Sequence, residues 1–288
     1  MRRKASPMFV PTELAARIDR AEARLSAALG RAVVERKQQP DAFVEEVDGG
    51  VAVYAGPSSP INKMIGVGFG ALPADERLQA IEEKFAARSA PLQAEVSTLA
   101  DPAFAAQLTQ RGYVLQGFEN VLGRAISRED ANARPDDAIE TAVMKHGDDE
   151  LWMDVMVTGF LSPDQQGVKA EPLPPRADLE RALRDCLQIA DFRRYGAHVD
   201  GQLVGVATCR LDDGLAQFCG AATLPAFRRR GVQTALLRRR LADAFESGCT
   251  LALMTTQPGS KSQQNGHKQG FTLLYSRAQL VKHPGTTR

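Results

Sequence analysis

The chain has 288 residues, 43% of them hydrophobic and 25% charged, and a net charge of +1. This is the balance of a globular chain of about two domains, and its near-neutrality argues against a dedicated nucleic-acid binder. No apolar run approaches the ~18 residues of a membrane span. The cysteines Cys186, Cys209, Cys219 and Cys249 show neither CxxC spacing nor a Cys/His cluster suited to zinc. They read as reduced core residues, and the basic N-terminus lacks the apolar stretch of a secretory signal, so the cytoplasm is the expected location.

In the first half, "ADERLQAIEEKF" has helical periodicity, and "RGYVLQGFENVLGR" (Arg111 to Arg124) reads as a Gly-aromatic pair followed by an apolar strand. The polar, aperiodic "SREDANARPDDA" that follows predicts a linker at 127–138, between domains at 1–126 and 139–288. Beyond it, "AIETAVMKHG" predicts a strand. "DDELWMDVMVTGFL" predicts a helix with Leu151, Val155 and Phe160 on its apolar face. "SPDQQGVKAEPLPP" is a loop, and "RADLERALRDCLQIA" a second helix carrying Leu179, Leu183, Cys186 and Leu187 on one side. The stretch from Arg193 to Leu224 reads as three strands joined by turns at Asp200-Gly201 and Asp213-Gly214. A helix from Val232, the strand "TLALMTT", the short helical turn "PGSKSQQNGHKQ" and the strand "FTLLYSRAQLV" complete the chain.

Sliding the chain over itself by 158 positions lays "RGYVLQGFENVLGR" on "QGFTLLYSRAQLVK", and "ADERLQAIEEKF" on "VQTALLRRRLADAF". Two features at one offset favour a duplicated fold over two unrelated domains of similar rhythm. The fold class is α/β (α+β), with a mixed, mostly antiparallel sheet flanked by helices in each half.

The segment "LPAFRRRGVQTALLRRRL" carries the chemistry. Pro225 ends a strand of small residues, Arg228 to Gly231 make a turn, and Val232, Ala235, Leu236 and Leu241 define a helix face closed by Gly248. A helix start offers unpaired backbone N–H groups and partial positive charge, and glycine admits close approach, so phosphate oxygens suit the junction. Basic residues are the wrong sign for helix stability at that end, which favours a site needing an anion over a merely solvated turn. The second triplet, Arg238 to Arg240, reads as the solvated side of the helix.

Arg228-Arg229-Arg230-Gly231-Val232-Gln233 resembles the Q/R-x-x-G-x-G/A pyrophosphate loop of GCN5-related N-acetyltransferases (GNAT). Asn265 with Gly270-Phe271 resembles that family's second motif, and the element order of 139–288 agrees. The resemblance implies acetyl-CoA as cofactor. Arg228, Arg229, Arg230, Gly231, Val232, Gln233 and Thr234 would hold the pyrophosphate, with Ala222 and Thr223 along the pantetheine arm and Asn265 nearby. It implies an N-acetyltransferase acting on a primary amine, small-molecule or peptide, by direct transfer. Neither nucleic acid, membrane nor metal is implied as a partner; a homodimer stays open.

Two positions depart from the family pattern. Gln233 stands where glycine or alanine is usual, and Gly266 stands where a tyrosine often protonates the leaving thiolate. Ser262, Asn265 and Tyr275 are the remaining candidate acids. Asp154 and Glu171 are the candidate bases, because "AQFCGAATL" has no carboxylate. Cys219 reads as packing rather than a nucleophile. In the first half, Pro73 falls at the Gly231 position, followed by Asp75 and Glu76. Proline donates no N–H and carboxylates repel phosphate, so that half is expected to be a degenerate copy without a CoA loop. The alternative function is a CoA-binding sensor or regulatory protein without transfer activity. A nucleic-acid role for the arginines ranks third.

Overall fold

The structure, a computed structural model, describes residues 9–37, 39–132, 138–145, 147–163, 175–189 and 191–285. They form two compact units. One holds 9–120 together with 274–285, the other 121–273. The packing therefore groups the chain differently from the sequence division. The end of the chain belongs with its beginning, and the second unit starts at Val121.

The first unit contains helix α1 (Thr12–Glu35), strands β1 (Phe43–Val47), β2 (Gly50–Tyr54) and β3 (Lys63–Ile65), helix α2 (Asp75–Ala86), strand β4 (Leu92–Ser97), helix α3 (Pro102–Gln110) and most of β5 (Val114–Ala125). Its strands run β1-β2-β3-β4, and β4 pairs antiparallel with Arg277–Lys282 of the last strand. One face buries Leu78, Ile81 and Phe85 of α2 and Phe104 and Leu108 of α3. The alanine-rich side of α1 packs on Val51, Val53 and Ile65 of the sheet.

The second unit follows with helix α4 (Arg128–Ala131), β6 (Glu140–Val143), α5 (Asp149–Phe160), α6 (Arg176–Leu187), β7 (Phe192–Val199), β8 (Gln202–Asp212), β9 (Leu215–Gln217) and β10 (Ala221–Thr223). A 3-10 turn (Pro225–Phe227), α7 (Val232–Glu246), β11 (Leu251–Thr256), α8 (Lys261–Lys268) and the start of β12 (Thr272–Lys282) complete it. The strand order is β5-β11-β9-β8-β7-β6, with β10 paired to β8. Both predicted hairpin turns are left-handed pairs, with φ of 51° and 76° at Asp200-Gly201 and 50° and 69° at Asp213-Gly214.

Three expectations are corrected. The expected linker begins as a helical turn, capped by Ser127 and anchored by an Arg124–Asp130 ion pair, while 133–137 lie outside the described residues. On α5 the buried side chains are Trp152, Met153, Val155, Met156 and Val157; Leu151 and Phe160 are exposed. The segment read as one third strand is two, β9 and β10, broken at Phe218–Gly220. Among the described residues no helix is long and apolar enough to cross a membrane, and no group of three or more His, Cys, Asp or Glu is placed to hold a metal.

Candidate functional site

The strand break makes the site. β9 pairs in parallel with β11 from Leu215↔Leu251 to Gln217↔Leu253, and the Phe218 N–H still donates to the Leu253 carbonyl at 2.8 Å. There the pairing stops. The Thr208 N–H donates to the Gly220 carbonyl at 3.0 Å, and Ala221–Thr223 continue along β8 alone. The other edge of β10 is left open toward Met254 and Thr255 of β11, and a cleft of about 770 Å³ opens there.

Glycines let the helices seat at this cleft. A Cβ on Gly205 of β8 would lie 2.3 Å from Val232 Cγ1, so α7 rests directly on the strand. A Cβ on Gly159 would lie 2.6 Å from that of Ala222, so α5 crosses β10 at close range. The small side chain of Ala222 thus serves the α5 contact. Between β10 and α7 the loop holds two left-handed residues, Arg229 at φ 61° and Gly231 at φ 92°. Arginine adopts that conformation at a cost, which marks a constrained turn. No side chain caps α7 and its first turn has no acid, whereas Ser260 caps α8. The α7 N-terminus therefore keeps its partial positive charge.

Five cationic side chains line the cleft: Arg228, Arg229, Arg240, Lys261 and Lys268. Among the described residues, no Asp, Glu, His or Tyr lines it. Gly231, Val232, Gln233, Thr234, Ala222, Thr223, Ser262 and Asn265 lie on it as well. Gln233 does turn from the loop: its Nε2 donates to the Thr223 hydroxyl at 2.7 Å. Gln269 Nε2 donates to Thr234 Oγ1 at 3.3 Å.

Several expected roles change. The Arg228 guanidinium is spent on carbonyls, of Thr223 and Gly159 at 3.2 Å each and of Ser162, so it braces the loop. Arg230 stacks on Phe227 at 5.2 Å and does not line the cleft. Tyr275 is buried in the other unit, where its hydroxyl donates to Asp19 Oδ1 at 2.6 Å, so it is no candidate acid for this cleft. At Gly266 a Cβ would meet Met254 Sδ at 2.8 Å and Leu122 Cδ1 at 3.2 Å, because α8 lies close on the sheet. Asp154 is exposed beside Arg176 and lies off the cleft, and Glu171 is outside the described residues. Cys219 is on the cleft, half-buried.

The second arginine triplet is not uniformly wet. Arg238 is exposed and Arg239 pairs with Asp243 at 2.9 Å, but Arg240 is 2% exposed. The helical period points to this burial, because position 240 shares the face of Leu236 and Leu237. Lys261 and Lys268 also escape the sequence motif; α8 brings them to the mouth.

At the equivalent place in the first unit the strands never part. β3 pairs in parallel with β4 through Lys63↔Gln93, Met64↔Ala94 and Ile65↔Glu95. The start of α2 is covered, with Gln107 Nε2 donating to the Pro73 carbonyl at 3.0 Å and both Gln107 and Arg111 on Asp75 at 3.1 Å.

Residues 161–271 match the model of the Acetyltransferase (GNAT) family. Among solved structures, the chain resembles a GCN5-related N-acetyltransferase from Kribbella flavida at 19% identity and TM-score 0.62, covering 94% of this chain and 96% of that one. A tandem GNAT protein from the clavulanic acid biosynthesis pathway matches at 13% identity and TM-score 0.59, covering 90% and 89%. A GCN5-related N-acetyltransferase from Sphaerobacter thermophilus matches at 14% and 0.56, covering 96% and 94%. No curated protein matches the chain significantly. At these identities the likeness is one of fold alone.

Proposed function

From the match of residues 161–271 to the Acetyltransferase (GNAT) family model, we propose that the second unit is an acetyl-CoA-dependent N-acetyltransferase acting on a primary amine by direct transfer. The family uses acetyl-CoA, and members are typically N-acetyltransferases. One observation carries the reading: a cleft with five cationic side chains and, among the described residues, no acidic one opens where a strand edge and an uncapped helix start meet. A polyanion with an amide-bearing arm suits those features.

The residues fit the cofactor. The backbone of Arg229 to Thr234 would take the pyrophosphate, with Lys261 and Lys268 adding charge at the mouth. The open edge of Ala221–Thr223 would pair with the pantetheine amides. Bound acetyl-CoA supplies the thioester and a thiolate leaving group. The chain's part is then positioning: the open strand edge and the helix start would fix the direction of approach. With no carboxylate or imidazole on the described cleft wall, the ammonium proton of the acceptor passes to solvent.

That same absence favours the second reading, a CoA-binding sensor without turnover. Titration of acetyl-CoA, followed by thiol release across a panel of amines, separates the two. Binding with turnover supports the transferase; binding without turnover on any amine supports the sensor; no binding removes both.

A further inference from the structure

Among the described residues that line the cleft, Arg240 is the one buried charged side chain. Its guanidinium lies 4.5 Å from the Phe218 ring centroid, at the residue where the pairing of β9 with β11 ends. Nε donates to the Leu236 carbonyl at 3.2 Å and Nη1 to the Thr208 carbonyl at 3.1 Å. Neither is a charge. Among the described residues no carboxylate pairs with it, and the ionisable groups acting on it are the thiols of Cys209 and Cys219 and the phenol of Tyr195. Burial pulls its pKa down to about 10. A guanidinium without a counter-charge in a dry site is costly, and it is retained at a benefit elsewhere.

The other half of the chain shows a different solution. At the offset of 158, Arg240 falls on Glu82, a carboxylate paired with Arg111 at 2.8 Å and Lys282 at 2.7 Å. There the carboxylate is balanced by protein charges. At Arg240 the balance is left to whatever fills the cleft.

Resting on the acetyltransferase reading above, we propose that the preferred acyl donor carries a carboxylate at the end of its acyl chain, a dicarboxylic acyl-CoA such as the malonyl or succinyl thioester, and that Arg240 recognises that carboxylate. An arm that starts at the α7 loop and runs back along β10 points its acyl end at Phe218. Arg240 sits behind that residue, with the far Nη2 outside both carbonyl bonds. The chemistry is unchanged. The thioester C–S bond breaks, an amide C–N bond forms, the amine proton leaves to solvent and the thiolate is released. A free carboxylate remains on the product.

The test is calorimetric binding of free CoA, acetyl-CoA, malonyl-CoA and succinyl-CoA to the full chain and to Arg240→Gln and Arg240→Lys. Wild type is expected to bind the better anionic thioester at least about tenfold tighter than acetyl-CoA, from one charge-assisted contact in a dry site. Arg240→Gln is expected to lose that preference while still binding free CoA, and Arg240→Lys to keep part of it. If wild type binds acetyl-CoA as tightly as both anionic thioesters, the donor proposal fails though the CoA site stands. If the preference persists in Arg240→Gln, Arg240 is not its reader. If free CoA does not bind either, the CoA reading itself fails. The wild-type ratio decides even where a variant does not fold.

Discussion

Gln233 Nε2 donates to the Thr223 hydroxyl at 2.7 Å, which fastens the first turn of α7 to the last residue of β10. The bond sets the strand edge against the helix start. Its removal in Gln233→Ala loses one part-buried hydrogen bond, worth about 1 kcal/mol of stability. The melting temperature is expected to fall by about 2 °C, and CoA binding to weaken as the strand edge and helix start lose their tie; thermal unfolding beside calorimetry checks both.

Arg228 holds three carbonyls from α5, the segment after it and β10. Arg228→Met leaves those acceptors without their donor and is expected to destabilise the chain by about 2 kcal/mol. Arg228→Lys should recover little, because a single ammonium cannot reproduce the planar fork. Denaturant unfolding of the two variants tests this. An Arg228→Met chain as stable as wild type, with CoA affinity lost, would instead make Arg228 a ligand contact.

Tyr275 and Arg277 both engage Asp19, with Arg277 Nη2 at 2.7 Å and all three side chains buried. Tyr275→Phe is expected to cost about 1–2 kcal/mol of stability and leave CoA affinity and the pH profile of turnover unchanged. Arg277→Met leaves Asp19 an uncompensated buried charge and is expected to cost about 3–5 kcal/mol. A shift in the turnover pH profile of Tyr275→Phe would return that tyrosine to the chemistry.

Glu119 lies in the same cluster, 3.3 Å from Arg277. Burial, then the charge of Glu95, raises its pKa from 4.5 to about 7, against the pull of Lys63 and Arg277. The folded carboxyl keeps a proton that the unfolded one has lost. This contribution to stability is full below about pH 4.5 and is lost as pH rises through about 7. The melting temperature of wild type relative to Glu119→Gln should therefore fall from pH 5 to pH 8, both values approximate bounds of that window. A difference that is flat, or that rises with pH, contradicts the assignment.

The loop of the site was legible in the sequence because it is local. A proline, a glycine and an apolar helical period fix a strand–turn–helix unit within a dozen or so positions, whatever surrounds it. The cleft was not legible, because it depends on β10 failing to pair with β11, and the break at Phe218–Gly220 has no turn signal. Arg240 was misread as solvated because its charge outweighed its position beside Leu236 and Leu237. Tyr275 was misplaced because strand β12 begins in one unit and ends in the other, a non-local pairing with Leu92–Ser97 that periodicity cannot show. Pro73 is a local signal against such a loop in the first half, whereas the β3–β4 ladder at the same place appears only in the fold.

The proposed function places CoA at the β10–α7 junction. Its most direct test is calorimetric titration of acetyl-CoA into wild type and into Gly231→Asp, with thermal unfolding to verify both folds. Gly231 is left-handed at φ 92° and opens the uncapped helix. A carboxylate there opposes phosphate. One site per chain is expected in wild type and a loss of roughly tenfold or more in the variant. Absence of binding by wild type, or equal binding by the two proteins, would contradict it.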